Sequence, residues 1–140
     1  MKTRKTLALV LAAIMMLTML ASCTPSTDNN NGKAAYNIGI CQLVEHVALD
    51  AATQGFMDAL KDELGEENVK FDVQNAQGDA PTCSTIVNQF VSDDVDLILA
   101  NATPALQAAA SATNEIPILG TSITEYGVAL ELDDFDGTVG

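Results

Sequence analysis

Apolar residues recur at helical spacing in three segments of the chain. In the first, residues 49–64, they return every three or four positions, and Gly65 follows as a helix-ending residue. The second segment opens at Asp79, and the third begins near Thr103. The residues expected on the inner face of the second helix are Ile86, Val87, Phe90 and Val91.

Short apolar stretches between these segments predict four strands. Residues 36–41 and 116–119 are the first and the fourth. Residues 69–73 alternate apolar with polar, which predicts a half-buried edge strand, whereas the continuous apolar run 97–100 predicts a strand buried on both faces. A weaker apolar stretch, residues 128–132, predicts a short strand or an extended loop.

The order β-α-β-α-β-α-β, with short connections, predicts an α/β fold in which a parallel sheet has helices on both faces. Ligands of such sheets bind beyond the carboxyl ends of the strands. The candidate functional residues therefore lie in four segments, 42–47, 75–79, 101–104 and 121–126.

The first 22 residues have the pattern of an export signal. Three basic residues lie within the first five positions, and the uncharged stretch 7–20 is shorter than the roughly 20 residues that a membrane-spanning helix needs. Residues 20–23, Leu-Ala-Ser-Cys, resemble the bacterial lipobox, in which the cysteine carries the lipid. We therefore expect a lipoprotein signal peptide at residues 1–22 and lipidation of Cys23.

The segment that follows predicts a tether. Residues 24–33 have no apolar side chain to bury, so we expect the lipidated Cys23 and a disordered linker over residues 23–35. The lipid would anchor the domain to the outer face of the bacterial cytoplasmic membrane. Without the signal, three lysines remain against 19 acidic residues, a net charge of −16. So acidic a chain excludes nucleic acid as a partner, because phosphate binding needs a basic surface.

The third helix begins directly after a buried strand, which makes its first residues a candidate site. We expect Thr103 to cap this helix, Pro104 to be its first residue, and the helix to run to about Thr113. Free N–H groups there, with the Thr103 hydroxyl, suit a small anion such as a carboxylate. Ordinary capping by Thr103 explains the same pattern, and spacing alone leaves both interpretations open.

Polar residues at two other strand ends also have two interpretations. His46 either caps the first helix or donates a hydrogen bond to a ligand, and as the only histidine it excludes a multi-histidine metal site. The hydroxyls of Thr121, Ser122 and Thr124 either bind polar groups of a ligand or form hydrogen bonds within a turn.

Enzyme and cofactor motifs are missing from the sequence. It has no phosphate loop, no dinucleotide glycine motif and no Gly-x-Ser-x-Gly, and residues 133–137 lack the spacing of a calcium loop. Cys41 and Cys83 do not form a Cys-x-x-Cys motif, and we expect two buried free thiols rather than a disulfide. The sequence therefore predicts a protein without catalytic activity, cofactor or metal.

Three segments at the strand ends occur in a distinctive order: residues 38–50 (IGICQLVEHVALD), 75–79 (NAQGD) and 102–107 (ATPALQ). Together with the lipobox and the polar linker, this set resembles the substrate-binding lipoproteins of tryptophan-type ABC transporters. The resemblance covers about residues 36–126, and Ile116–Ile118 and Thr124 match less specifically.

The resemblance implies a lobe of the periplasmic-binding-protein-like (type I) fold. Two such lobes enclose a small solute with a carboxylate, an amino acid that can be aromatic, and deliver it to the permease subunits. The amino end of the helix at Thr103 would take the carboxylate, and Glu45 fits a ligand ammonium. The implied ligand-binding residues are Gln42, Glu45, His46, Asn101, Ala102, Thr103, Ser122, Ile123 and Thr124.

The end of the sequence departs from the family pattern. The resemblance implies a further strand and a hinge after Gly140, so we expect residues 36–140 to be an incomplete first lobe, truncated from a longer protein. A lipid-anchored sensor input lobe would share this fold but signal to a kinase. A stand-alone flavodoxin-like exported domain is disfavoured, because residues 42–46 supply neither clustered acids nor a phosphate-binding loop.

Overall fold

The computed structural model describes residues 35–133, in which four strands alternate with four α-helices, and a short 3-10 helix (Glu66–Asn68) precedes the second strand. In chain order they are β1 (Tyr36–Gln42), α1 (Val47–Leu64), β2 (Val69–Asn75), α2 (Ala80–Ser92), β3 (Leu97–Asn101), α3 (Thr103–Ala112), β4 (Ile118–Thr121) and α4 (Tyr126–Ala129). The predicted signal peptide, the lipidation site Cys23, most of the predicted linker and the acidic segment after Asp133 lie outside the described residues.

The four strands are all parallel and follow the order β2-β1-β3-β4. The predicted α/β fold and the edge position of β2 are therefore confirmed. From β1 the chain moves to one side for β2 and returns to the other side for β3, which creates a topological switch point between β1 and β3. Ligands of open parallel sheets bind at such a point. The residues that meet there are Gln42 and Asn101, which are paired in register.

Helices pack against both faces of the sheet, as predicted. The helix α1 covers one face, where Phe56 and Leu60 pack against a buried cluster that includes Ile40 and Leu99. The helices α2 and α3 cover the other face, where Phe90 is fully buried at the centre of a second cluster. Because side chains of a strand alternate between faces, β1 and β3 each contribute to both clusters.

The ends of α1 and α2 follow from single residues that the sequence marks. Asp79 caps α2 by accepting a hydrogen bond from the backbone N–H of Thr82 at 2.9 Å. Gly65 ends α1 with φ +88°, a conformation that residues with a Cβ rarely adopt, and its N–H donates to the carbonyl of Lys61.

The strand β4 begins two residues later than predicted. The hydroxyl of Thr113 accepts hydrogen bonds from the N–H groups of Glu115 and Ile116, which holds these residues in a turn. Pro117 has no N–H, but its carbonyl accepts from the N–H of Ile98 at 3.0 Å and starts the pairing with β3. Pairing continues to Thr121, so the strand has moved toward the carboxyl edge.

Two further expectations are wrong. Residues 128–132 do not form a strand or an extended loop, because Glu125 accepts from the N–H groups of Gly127 and Val128 and starts the short helix α4. Thr103 is not the cap of α3: it is the first residue of the helix, Ala102 occupies the cap position, and no side chain caps this helix.

Among the described residues, no helix has the length and the apolar character that crossing a membrane requires.

Candidate functional site

The carboxyl ends of β1 and β3 are joined by a buried network of polar side chains. Gln42 is 5% exposed, Thr53 of α1 is 5% exposed and Asn101 is fully buried. The Thr53 hydroxyl donates to Oε1 of Gln42 at 2.7 Å and accepts from Nδ2 of Asn101 at 2.9 Å. These bonds fix the strand ends to the helix that covers them.

The same network extends to the loop that leaves β1. Nε2 of Gln42 donates to the carbonyl of Val44 at 2.9 Å and to Oδ1 of Asp50 at 2.6 Å. Nδ2 of Asn101 also donates to the carbonyl of Leu49 at 2.8 Å. The loop between β1 and α1 is thereby held in one conformation, which is the preorganisation that a binding site needs.

Gln42 and Asn101 therefore lie at the predicted edge, but their side chains are directed into the protein beneath α1. Oδ1 of Asn101 is the buried side-chain atom without a hydrogen-bond partner in the described part of the chain. This atom is inaccessible to a ligand above the strand ends. Asn101 would therefore act on such a ligand through the backbone that its side chain holds in place.

Ala102 adopts a backbone conformation that is essentially reserved for glycine. It has φ +97° and ψ 156°, and in this region a residue with a Cβ carries a strain of about 1–3 kcal/mol. The surrounding hydrogen bonds maintain it: the N–H of Ala102 donates to the carbonyl of Thr121 and its carbonyl accepts from Leu106. Strain of this kind is concentrated at functional sites.

The strained residue leads directly into the uncapped amino end of α3. The first turn of a helix leaves N–H groups without intrahelical partners, and here Thr103 and Ala105 contribute them, because Pro104 has none. Thr103 is partly exposed, and its hydroxyl forms no hydrogen bond with any other described residue. Donors and helix dipole together make this position suitable for a carboxylate.

The loop after β1 carries the other two predicted residues. His46 caps α1, since its Nδ1 accepts from the N–H of Ala48 at 3.2 Å, which is one of its two predicted roles. Glu45 is exposed, and its carboxylate has no hydrogen-bond or ion-pair partner in the range 35–133. It is therefore an acceptor that remains available at this edge.

The exit of β4 brings three more predicted residues to the same edge. Ser122 has φ +57°, so this strand end also has a residue in the left-handed region. Thr124 is exposed, whereas Ile123 packs against the core cluster beneath α3. Ser122 and Thr124 therefore offer hydroxyls at this end of the sheet, and Ile123 supports them from below.

Sequence reasoning missed Thr53 and Asp50. Both lie in the first two turns of α1, and the spacing from Leu49 places Thr53 on the apolar face of the helix. A polar residue on that face needs a buried hydrogen-bond partner. Its position on the apolar face was therefore the signal in the sequence that could have identified Thr53.

Cys41 and Cys83 are free and fully buried, and their thiols contact each other between β1 and α2. Burial, reinforced by the neighbouring thiol, raises the pKa of Cys41 to about 12, and burial also raises the pKa of Cys83. Within residues 35–133, no group of histidine, cysteine and acidic side chains could hold a metal ion.

An open depression lies at the opposite, amino edge of the sheet. It has a volume of about 420 Å³, and its lining includes Asn37, Lys70 and Asp93. No helix amino end is among its lining residues, and ligands of parallel sheets bind at the carboxyl edge. We therefore regard the carboxyl edge as the candidate site.

Comparison with known proteins supports the fold and identifies the family. The family model described as "ABC transporter substrate binding protein" matches residues 37–135. This chain belongs to that family. Membership in a family of binding proteins agrees with the prediction of a protein that binds and does not catalyse.

Similar proteins include one with a curated function and two with solved structures. A tyrosine-binding protein of Clostridioides difficile is 42% identical over 99% of this chain and 44% of its own length. The ligand-free, open structure of a substrate binding protein with adhesive properties from Clostridium difficile is 49% identical, with a TM-score of 0.65 over 67% of this chain and 32% of that one. A Streptococcus pneumonia ABC domain in complex with L-Trp is 35% identical, with a TM-score of 0.67 over 72% of this chain and 35% of that one.

These neighbours confirm that the α/β domain of this substrate-binding protein has the fold of substrate-binding proteins. The chain spans less than half the length of the curated relative and about a third of each solved structure.

Proposed function

We propose that this substrate-binding protein captures an α-amino acid with an aromatic side chain, and that α3 binds its carboxylate. The observation that carries the proposal is the uncapped amino end of α3, which follows the strained Ala102 at the switch point of the sheet. The backbone N–H groups of Thr103 and Ala105 and the Thr103 hydroxyl would donate to the carboxylate oxygens.

The aromatic nature of the ligand is inferred from the relatives. One is named as a tyrosine-binding protein and another was solved with L-Trp, and both are at least 35% identical to this chain. The hydroxyls of Ser122 and Thr124 would contact other polar groups of the ligand, and Gln42, His46 and Asn101 would hold the loops around it. The second wall of the cleft would come from the rest of the protein.

The physiological role we propose is import: the closed, liganded form would dock onto the permease of an ABC transporter. The protein would remain at the outer face of the cytoplasmic membrane through a lipid on Cys23. Replacing this residue, Cys23→Ser, should move the protein from the membrane fraction to the soluble fraction, and continued membrane association would refute the anchor.

Calorimetry on the full-length protein tests the carboxylate site. L-tyrosine and L-tryptophan should bind, whereas tyramine and tryptamine, which lack the carboxylate, should bind at least about tenfold more weakly. Thr103→Ala removes the hydroxyl but keeps the N–H, and we expect a loss of about 1 kcal/mol or more.

A second variant separates the two donors of this residue. Thr103→Pro also removes the N–H, at a helix position where proline is well tolerated, and should weaken binding further. The proposal fails if the amines bind as tightly as the amino acids, or if neither variant changes affinity while the melting temperature stays constant.

A further inference from the structure

A second feature of the carboxyl edge is a groove between the exits of β1 and β2. It has a volume of about 380 Å³ and is lined by Val44, Glu45, Asn75 and Gln77. Val44 is 37% exposed and gives the groove an apolar wall, whereas the other three residues carry oxygen acceptors. The proposed carboxylate site at α3 does not use this groove.

Hydrogen bonds within the protein hold the walls of the groove, and none of them uses the carboxylate of Glu45. The N–H of Gly78 donates to the carbonyl of Leu43 at 2.7 Å, which joins the loop after β2 to the loop after β1. The N–H of Gln77, a residue with φ +55°, donates to Oδ1 of Asn75 at 2.7 Å. The buried Gln42 holds the carbonyl of Val44. The groove is therefore built before any ligand arrives.

The distance to α3 decides which part of a ligand can reach the groove. Neighbouring strands lie about 5 Å apart, so the groove beside β1 and β2 lies roughly 5–10 Å from the amino end of α3, which follows β3. The ammonium of an amino acid is bonded to the same carbon as the carboxylate and stays close to it. The far end of an aromatic side chain spans the separation.

We propose that this groove receives the aromatic side chain of the bound amino acid, and that Glu45 accepts a hydrogen bond from a donor on its ring. This inference rests on the proposed function and adds a determinant of specificity to it. A phenol O–H or an indole N–H supplies such a donor, whereas a phenyl ring does not. Val44 contacts the ring, and the carboxylate of Glu45 makes the hydrogen bond a charge-assisted one.

Calorimetry on the full-length protein with L-tyrosine, L-tryptophan and L-phenylalanine tests this assignment. The wild type should bind tyrosine or tryptophan at least about tenfold more tightly than phenylalanine, the value of one hydrogen bond to a charged group. Glu45→Ala should abolish that preference with little effect on phenylalanine. Glu45→Gln keeps an oxygen acceptor and should keep part of it. Glu115→Ala, the same change at an exposed residue before β4, is the matched control and should leave all three affinities unchanged.

The outcomes separate the two proposals. Equal weakening of all three amino acids by Glu45→Ala would place Glu45 at the ammonium and overturn the inference, while the proposed function would stand. Unchanged selectivity in Glu45→Ala would also overturn the inference. So would a wild type that binds phenylalanine as tightly as it binds tyrosine and tryptophan. If none of the three amino acids binds, the proposed function itself fails.

Discussion

Thr53 holds the two central strand ends to α1 through a single hydroxyl. The hydroxyl donates to Gln42 and accepts from Asn101, and all three side chains are at least 95% buried. Removing it leaves Oε1 of Gln42 with only the 3.5 Å contact from Asn101. A buried polar atom that loses its partner loses its solvation as well, so the energetic effect exceeds that of an exposed hydrogen bond.

The substitution Thr53→Val, which preserves shape, should lower the free energy of unfolding by about 1–3 kcal/mol. Thr85→Val is the matched control, since Thr85 is an exposed residue of α2 whose hydroxyl bonds only to the carbonyl of Pro81. Urea unfolding of both variants checks this. Equal effects of the two substitutions would show that the network does not stabilise the strand ends.

The sequence predicted which residues reach the carboxyl edge, but not the direction of their side chains. Gln42 and Asn101 end apolar strands, so their place at the edge follows from pattern alone. Whether they point to solvent or beneath α1 depends on strand register and on Thr53, which no local pattern determines. The strained conformation of Ala102 was equally inaccessible, because alanine ordinarily avoids positive φ.

The contact between β1 and α2 depends on the absence of a side chain. A Cβ at Gly39 would lie 2.6 Å from Cδ2 of Phe90, closer than van der Waals contact permits. Both residues are in the packed interior, which has little room to relax.

We therefore expect Gly39→Ala to destabilise the protein by about 1–3 kcal/mol, because α2 must shift away from the sheet. The matched control is Gly55→Ala, at an exposed position of α1 where a Cβ meets nothing within 4 Å. That change should stabilise the protein by about 0.5–1 kcal/mol through helix propensity. Thermal unfolding of the two variants should show shifts of opposite sign, and shifts of the same sign would contradict the packing.

Helices and strands were predictable where one residue or one period determines them. The periodicity of α1 and the start of the second helix at Asp79 have direct local causes, and both were predicted correctly. The start of β4 depends on the hydroxyl of Thr113 and on pairing with β3, so periodicity placed it two residues early. The helix α4 depends on capping by Glu125, which outweighs the strand-like composition after it.

Two buried thiols should make the domain less stable as the pH rises into the alkaline range. The pKa of Cys41 is raised to about 12 from an ordinary value near 9, and that of Cys83 is also raised, because burial disfavours the thiolate. Below about pH 8 both states hold these protons and stability is unaffected. Between about pH 9 and 12 the unfolded chain has lost protons that the folded protein retains, so the free energy of unfolding falls as pH rises.

The expected slope is about 1 kcal/mol per pH unit for each thiol that stays protonated in the folded state. Urea unfolding at several pH values between 8 and 11 should show this decline, and the decline should be shallower in Cys41→Ala. The two proteins differ only at the buried thiol pair, so the difference between their slopes reports this pair. Identical slopes would show that Cys41 ionises as easily in the folded protein as in the unfolded one.

In the proposed complex, the amino acid lies at the carboxyl edge of the sheet, with its carboxylate on α3. Backbone amide NMR of the full-length protein during a titration with L-tyrosine tests this most directly. We predict saturable shifts at Thr103 and Ala105, with smaller shifts in the loops after β1 and β4, and none at Lys70 or Asp93 on the opposite edge. Shifts confined to that opposite edge, or the absence of any change at Thr103 and Ala105 on saturation, would contradict binding of the carboxylate at α3.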